Sequence, residues 1–213
     1  MLVKHLMTPN PVGISPEQSV ADAAALMTER GIRHLPVVDE NGVLVGLVTR
    51  SSLAQALPGL GTGLTRFEYS YLTANTKIRE VMIAQPVLGE EDMAAEEAAR
   101  IMNEHRISSL LVLRDGRPVG IITDTDIFEA MLELLGARRE GVRLTVHLPD
   151  RPGELAKVSS RIAELGGNLS AVGGWPVGPD TWGAVLKVQN LDPDRVAEAL
   201  RAMPGVTLVD VRG

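Results

Sequence analysis

Cysteine is absent from the 213 residues. Its absence excludes disulfides, thiolate metal sites and cysteine nucleophiles, and it fits a reducing, cytoplasmic setting. Aromatic residues are scarce, two each of Phe, Tyr and Trp, so the core has to be aliphatic. No run approaches the ~18 apolar residues of a membrane span. The opening residues, Met1 to Leu6, lack the continuous apolar stretch of a signal peptide. Basic residues are outnumbered, 21 Lys plus Arg against 27 Asp plus Glu, giving a net charge of −6. Such a chain has no bulk attraction for nucleic acid or an anionic membrane, and no basic run exceeds Arg138-Arg139. Neither partner is expected.

Catalytic signatures are missing too. The four histidines, His5, His34, His105 and His147, form no metal-spaced pair, and Glu104-His105 lacks the second His of H-E-x-x-H. No G-x-S-x-G or Walker loop occurs. Asp124 and Asp126 form a carboxylate pair, but i, i+2 spacing on a helix points them apart. No catalytic residue, no metal and no enzymatic activity are expected.

What the chain does contain is a repeat. Residues 6 to 38 match residues 81 to 113 at an offset of 75, pairing Leu6-Met7 with Val81-Met82 and Pro11-Val12 with Pro86-Val87. The offset then falls to 74, so Gly46-Leu47-Val48-Thr49 aligns with Gly120-Ile121-Ile122-Thr123. The lost residue falls between Asn41-Gly42 and Asp115-Gly116, which are hairpin-turn signals where length changes are tolerated. Each copy reads strand, helix, strand, hairpin, strand, helix. In the first, Val12-Gly13-Ile14 is the opening strand, Ser19 and Asp22 form a capping box, and Gly31 ends the helix. The nearly continuous apolar hairpin strands imply burial on both faces, so a unit of ~55 residues needs its twin.

The expected organisation is a first copy over residues 1–57, a linker over 58–76, a second copy over 77–137 and a different domain over 138–213. The GxGxG spacing of the linker follows a helix and lacks a βαβ context, so it reads as a flexible connection. The second copy ends in a helix over residues 126–139, with Phe128, Met131, Leu132 and Leu135 on one face. From Val142 the pattern changes to β-α-β-β-α-β, a ferredoxin-like layer. There Asp150 is the expected helix cap and Leu155, Val158, Ile162 and Leu165 the buried stripe. One face of so small a sheet needs covering, and apolar helix residues Leu26, Met27, Ile101 and Met102 add to the expectation of a homodimer.

The L-P-V-V-D strand and the G-h-h-T-x-x-D strand-to-helix junction resemble CBS domains, and two copies resemble the CBS pair. The tail, with Asp150-Arg151-Pro152-Gly153-Glu154-Leu155 and Gly166-Gly167-Asn168-Leu169, looks like an ACT domain. The fold class is therefore mixed α+β and α/β: a tandem CBS pair followed by a βαββαβ ACT domain. The resemblance implies a non-catalytic regulatory protein. Its CBS pair would bind an adenosine nucleotide (AMP, ADP or ATP) and modulate a protein partner of unknown identity. S-adenosylmethionine is the alternative ligand, and a dimeric scaffold with vestigial sites the alternative role.

On that resemblance, Thr123 and Asp126 form the stronger nucleotide site. Free N–H groups at the helix start suit a phosphate, and the Asp126 carboxylate suits the ribose hydroxyls. T-x-x-D before a helix is equally a capping box. In CBS pairs the residues before the second strand approach the phosphates across the pseudo-twofold axis. Arg33 and His34 are accordingly assigned to this cleft, with the adenine against Ile83, Pro86 and Val87, and Ile122 beside it. Without a ligand, Arg33 would be solvated and His34 partly buried. The first copy has Ser52 in place of the carboxylate, so Thr49, Ser52, Ser108, Ser109, Pro11 and Val12 form a weaker or empty site. Phe67, Tyr69 and Tyr71 either stack on adenine or pack at a dimer contact, with packing favoured. An ACT effector, if any, falls to Asp150, Gly153, Leu155 and Asn168.

Overall fold

The computed structural model describes residues 1–56 and 65–213. The glycine-rich stretch expected as the linker core, residues 58–63, lies outside them. The chain divides into two units, Met1–Ile127 and Phe128–Gly213. No helix among the described residues is long and apolar enough to cross a membrane.

The first unit opens with a 3-10 turn (Val3–His5) and β1 (Thr8–Pro9). The first repeat supplies α1 (Val20–Arg30), β2 (His34–Val38), β3 (Leu44–Thr49) and α2 (Arg50–Ala56). After α3 (Arg66–Asn75), the second supplies α4 (Ile78–Val81), β4 (Leu88–Gly89), α5 (Ala95–His105), β5 (Ser109–Arg114), β6 (Arg117–Thr123) and the start of α6 (Asp124–Leu134), whose residues from Phe128 on fall in the second unit.

Local chemistry explains the boundaries. The Asp22 N–H donates to Ser19 Oγ at 3.1 Å and the Ser19 N–H donates to the Asp22 carboxylate at 2.8 Å, closing the expected capping box of α1. The second repeat's hairpin turns on Asp115 and Gly116 alone, at φ 53° and 76°, the two positive values a type I′ turn requires. Within the stretch expected as linker, Thr65 and Glu68 form another capping box and start α3. The last helix of the second repeat stops at Leu134, short of residue 139, because Gly136 turns left-handed at φ 63°.

The opening strands differ from expectation. Val12-Gly13-Ile14 contributes a single bridge, Ile14 with Val37. The strand that pairs lies earlier, and it pairs with the other repeat: Thr8 on β1 stands opposite Ile121 on β6. Its repeat counterpart, Ile83, bridges Leu47 on β3 of the first repeat. The helical entries are exchanged in the same way. Val3 is buried with Ala98 and Met102 of the second repeat, and Ile78 with Val20 and Met27 of the first. Each repeat's entry thus completes the other's core, the physical reason the copies fold as a pair. The crossing is tight: a Cβ on Gly46 would collide with Met82, and one on Gly120 with Met7. Met27 and Met102 are buried in these cores and leave the apolar face expected for dimerisation, while Leu26 and Ile101, packed against them, stay half-buried.

The second unit contains β7 (Val142–Pro149), α7 (Glu154–Glu164), β8 (Asn168–Gly178), β9 (Thr181–Gln189), α8 (Pro193–Arg201) and β10 (Thr207–Arg212). The antiparallel order β10-β7-β9-β8 is ferredoxin-like. Val142, Leu144, Val146 and Leu148 alternate inward from β7 and pack on Val158 and Ile162 of α7 and Val196 and Leu200 of α8. Gly153, at φ 87°, is the N-cap of α7 in place of Asp150. Leu155 leaves the buried stripe to face a small cavity beside Trp182. The two tryptophans each lie over a glycine of the paired strand: Trp182 over Gly174 and Trp175 over Gly183. A Cβ at either glycine would strike the indole.

Candidate functional site

The first unit carries two clefts related by the repeat. One, about 390 Å³, is walled by Thr123 and Ile121 of β6 and by Arg33 and His34 at the start of β2, with Pro11 and Val12 alongside. The other, about 500 Å³, is walled by Thr49 and Ser52 and by Ser108 and Ser109, with Ile83, Pro86 and Val87 alongside. The cross-repeat grouping of Arg33 and His34 with Thr123 is therefore present.

The apolar wall is exchanged relative to expectation. Ile83, Pro86 and Val87 belong to the Thr49 cleft, and Pro11 and Val12 to the Thr123 cleft. The cause is the crossing of the entry strands: whichever segment pairs with β6 must line the cleft at β6. Ile122 lines neither cleft. Strand alternation turns it into the core of the second repeat, while its neighbours Ile121 and Thr123 face the cleft.

At the start of α6 the donors expected to hold a phosphate are already engaged. The Thr123 N–H donates to Asp126 Oδ2 at 2.7 Å, and the Thr123 hydroxyl reaches the same oxygen at 2.7 Å. The Asp124 N–H donates to the Ser108 carbonyl, the Thr125 N–H to Asp124 Oδ1, and the Asp126 N–H to Thr123 Oγ1. The helix end is closed by the Ser108 carbonyl, the Asp124 carboxylate and the Thr123 hydroxyl, so anion recognition in this cleft falls to side chains. Asp126 is bonded through Oδ2 to Thr123, which lines the cavity, and its Oδ1 has no protein donor among the described residues.

Arg33 reaches across to the second repeat, with Nη2 3.3 Å from Thr125 Oγ1 and 3.6 Å from Asp124 Oδ1. His34 is buried, and its Nε2 is hydrogen-bonded to Ser108 Oγ at 3.0 Å. Burial holds the imidazole below its ordinary pKa; the Arg33 charge pushes the same way and Asp124 opposes both. His34 is thus a neutral group at neutral pH, and Arg33 carries the cationic charge.

In the Thr49 cleft the capping pattern persists without a carboxylate. Thr49 N–H donates to Ser52 Oγ at 2.9 Å and Ser52 N–H to Thr49 Oγ1 at 3.0 Å. Sequence reasoning overlooked Arg30 in the first cleft and Arg106 and Gln85 in the second. Arg106 was visible through the repeat, being the counterpart of Gly31. Phe67, Tyr69 and Tyr71 line neither cleft; all three lie on α3, where Tyr69 faces a groove with Val20 and Leu53.

In the second unit, Asp150 and Leu155 share a cavity of about 180 Å³ with Trp182. Gly153 caps the adjoining helix, whereas Asn168 is on β8 bonded to Gln189 at 3.2 Å and is not part of that cavity. Among the described residues no group of three or more His, Asp or Glu is placed to hold a metal ion.

Comparison with known proteins gives matches to both halves. The family model of the CBS domain matches residues 3–59 and 78–133, and that of the ACT domain residues 142–205. The chain is 33% identical over 128 residues to the L-aspartate semialdehyde sulfurtransferase of Methanocaldococcus jannaschii, covering 59% of this chain but only 22% of that protein. A putative acetoin utilization protein (AcuB) from Vibrio cholerae has a similar structure, with TM-score 0.55 and 31% identity over 66% of this chain and 98% of that one. So does the CBS domain pair of protein MJ0100 in complex with 5′-methylthioadenosine and S-adenosyl-L-methionine, with TM-score 0.52 and 30% identity over 62% of this chain and 99% of that one. CBSX2 in complex with AMP matches with TM-score 0.54 and 29% identity, over 62% of this chain and 97% of that one.

Proposed function

The chain belongs to the CBS-domain family, with an ACT domain following its CBS pair, and from that premise we propose that it is a non-catalytic, cytoplasmic regulator that binds an adenosine ligand. The observation that carries this reading is the Thr123 cleft, where the Thr123–Asp126 box meets Arg33 and His34 from the other repeat. The free Oδ1 of Asp126 accepts from the ribose hydroxyls, and Pro11 and Val12 flank the base. Arg30 and Arg33 favour phosphate over the sulfonium of S-adenosylmethionine, so AMP, ADP and ATP are preferred. The AMP held by CBSX2 and the adenosine compounds held by the MJ0100 pair support the class of ligand.

The chain works on this reading as a homodimer that passes occupancy to a protein partner. Support for the dimer comes from β8, an edge strand with no charge from Asn168 to Gly178 and with Val172, Trp175 and Val177 exposed. The similarity to the Vibrio protein makes acetoin use the first pathway in which to seek that partner. The 180 Å³ cavity beside Asp150 admits only an effector of amino-acid size.

A second reading, a scaffold with a vestigial site, is favoured by one observation: Asp126 already satisfies Thr123 as a cap. Calorimetry with AMP, ADP, ATP and S-adenosylmethionine decides between them. Saturable binding, tightest for a phosphorylated ligand, is expected. Failure of all four to bind leaves the scaffold. Turnover of bound nucleotide would instead identify a hydrolase, and light scattering at a mass of 22.8 kDa would refute the dimer.

A further inference from the structure

A groove on the first repeat lies apart from both clefts. Its walls are α1, α2 and α3, and its volume is about 600 Å³, more than either cleft. The two faces of α2 serve different spaces. Ser52 and Gln55 line the Thr49 cleft, whereas Arg50, Leu53 and Ala54 line the groove. The third wall, α3, lies between the copies of the repeat and belongs to neither. It supplies Tyr69 and Thr73, and its end is tied to the start of α1, where the Val20 N–H donates to the Thr76 carbonyl at 3.0 Å.

The repeat shows what opens this space. Ala21 and Ala54 on the groove wall align with Glu96 and Phe128, side chains large enough to fill it, and Arg50 aligns with Asp124. The floor is apolar, with Val20, Met27 and Leu53 buried. Two of the polar groups are spent within their own helices: the Thr28 hydroxyl donates to the Ala24 carbonyl at 2.8 Å, and that of Thr73 to the Ser70 carbonyl at 3.0 Å. Arg50 is the one charged residue among those lining the groove, and it has no ion-pair partner among the described residues. Half-buried Tyr69 offers its hydroxyl from α3. One uncompensated guanidinium beside an apolar floor suits a ligand with one negative charge and an apolar body.

We propose that this groove binds a monocarboxylate that carries an apolar chain. Arg50 donates two parallel N–H bonds to the carboxylate, Tyr69 adds a third donor, and the chain lies over Val20, Met27 and Leu53. The second charge of a phosphate would find no partner here. The site shares no lining residue with either nucleotide cleft, so it stands or falls apart from the adenosine reading.

The test is calorimetry of the full chain with hexanoate, octanoate, decanoate and octanol, with and without AMP. One saturable carboxylate per chain is expected, tightening by about two- to fourfold for each added methylene and unaffected by AMP. Arg50→Gln should weaken octanoate by about fivefold, the value of an ion pair near the surface, and leave octanol unchanged. Ala54→Phe, which installs the residue of the second repeat, should abolish binding of all four. Both positions are exposed, so both variants should keep Tm within ~2 °C of the parent. Octanoate binding that neither substitution weakens places the ligand elsewhere and overturns the proposal. Octanol bound as tightly as octanoate, with no loss in Arg50→Gln, makes the groove merely apolar and also overturns it. So does the absence of saturable binding; if light scattering then shows that Ala54→Phe lowers the mass of the assembly, the groove is a contact between copies. Each of these results leaves the nucleotide reading untouched.

Discussion

Asp126 holds two roles that a pair of substitutions can separate. Its Oδ2 accepts from the Thr123 N–H and hydroxyl, both at 2.7 Å, and so closes the start of α6. Its Oδ1 is the oxygen left for a ribose. Asp126→Ala removes both roles. The cap alone is worth ~1 kcal/mol, which corresponds to a fall in Tm of about 2–4 °C for a chain of this size. The ligand contact is charge-assisted, ~1.5–3 kcal/mol or about 10- to 150-fold in affinity. Asp126→Asn divides these effects. Its amide oxygen can replace Oδ2 as acceptor for Thr123, but this turns the NH2 group, a donor without charge, toward the ribose. The Asn variant should keep Tm within ~1 °C of the parent and still lose at least about fivefold in AMP affinity. Thermal unfolding and calorimetry on the same preparations give both numbers. If Asp126→Asn binds AMP as tightly as the parent, the carboxylate is a helix cap only and the ribose assignment is wrong.

His34 and the repeat crossing supply two further predictions. The pKa of His34 lies below its usual 6.5 in the folded protein, so the unfolded chain takes up the proton first; the stability contribution is complete above pH 6.5 and is lost as pH falls through the folded value. Denaturant midpoints should therefore drop between pH 7 and 5 and drop less in His34→Gln; parallel curves would refute this. Gly120→Ala forces a Cβ into Met7 and should cost about 1–3 kcal/mol, part of which Met7→Ala restores; a neutral Gly120→Ala would show the crossing to be loosely packed.

The legible and illegible parts of this protein separate on a physical ground. Local signals carried through: the Ser19–Asp22 box, the Asp115-Gly116 turn and the inward alternation of Val142, Leu144, Val146 and Leu148 are all set by neighbours a few residues away. Period tells which residues share a face, however, and not which sheet the strand joins. Thr8 and Ile83 each pair with the opposite repeat, and nothing within either segment records that choice. The same ambiguity misplaced Pro11, Val12, Ile83, Pro86 and Val87 between the clefts. Thr123-x-x-Asp126 was legible as a motif, but only the folded arrangement reveals that the Ser108 carbonyl, the Asp124 carboxylate and the Thr123 hydroxyl occupy the helix-end donors that a phosphate would need. Arg106 was a different kind of miss. Its mismatch with Gly31 is plain in the repeat alignment and acquires meaning only once both are seen to be left-handed.

A side-chain bond between His34 and Ser108 joins the two clefts, which gives a last prediction. His34 lines the Thr123 cleft, Ser108 lines the Thr49 cleft, and their Nε2 and Oγ atoms are 3.0 Å apart. A ligand of the Thr49 cleft that engages the Ser108 hydroxyl must reorient it, and His34 then keeps, loses or reverses its bond according to its tautomer. One cleft can influence the other only through such a contact that differs between the empty and filled states. The net value of one neutral hydrogen bond is ~1 kcal/mol, so coupling through it is limited to about fivefold. Ser108→Ala removes the link but leaves Arg106, Thr123 and Asp126 in place. In the parent, the two stepwise AMP affinities should differ from the ratio for independent sites by up to that factor. In Ser108→Ala the departure should vanish, even if the affinity of the Thr49 cleft itself declines. A coupling factor that survives the substitution would mean that the clefts communicate through apolar packing, since Leu47, which lines one cleft, shares a buried cluster with Ile121, which lines the other.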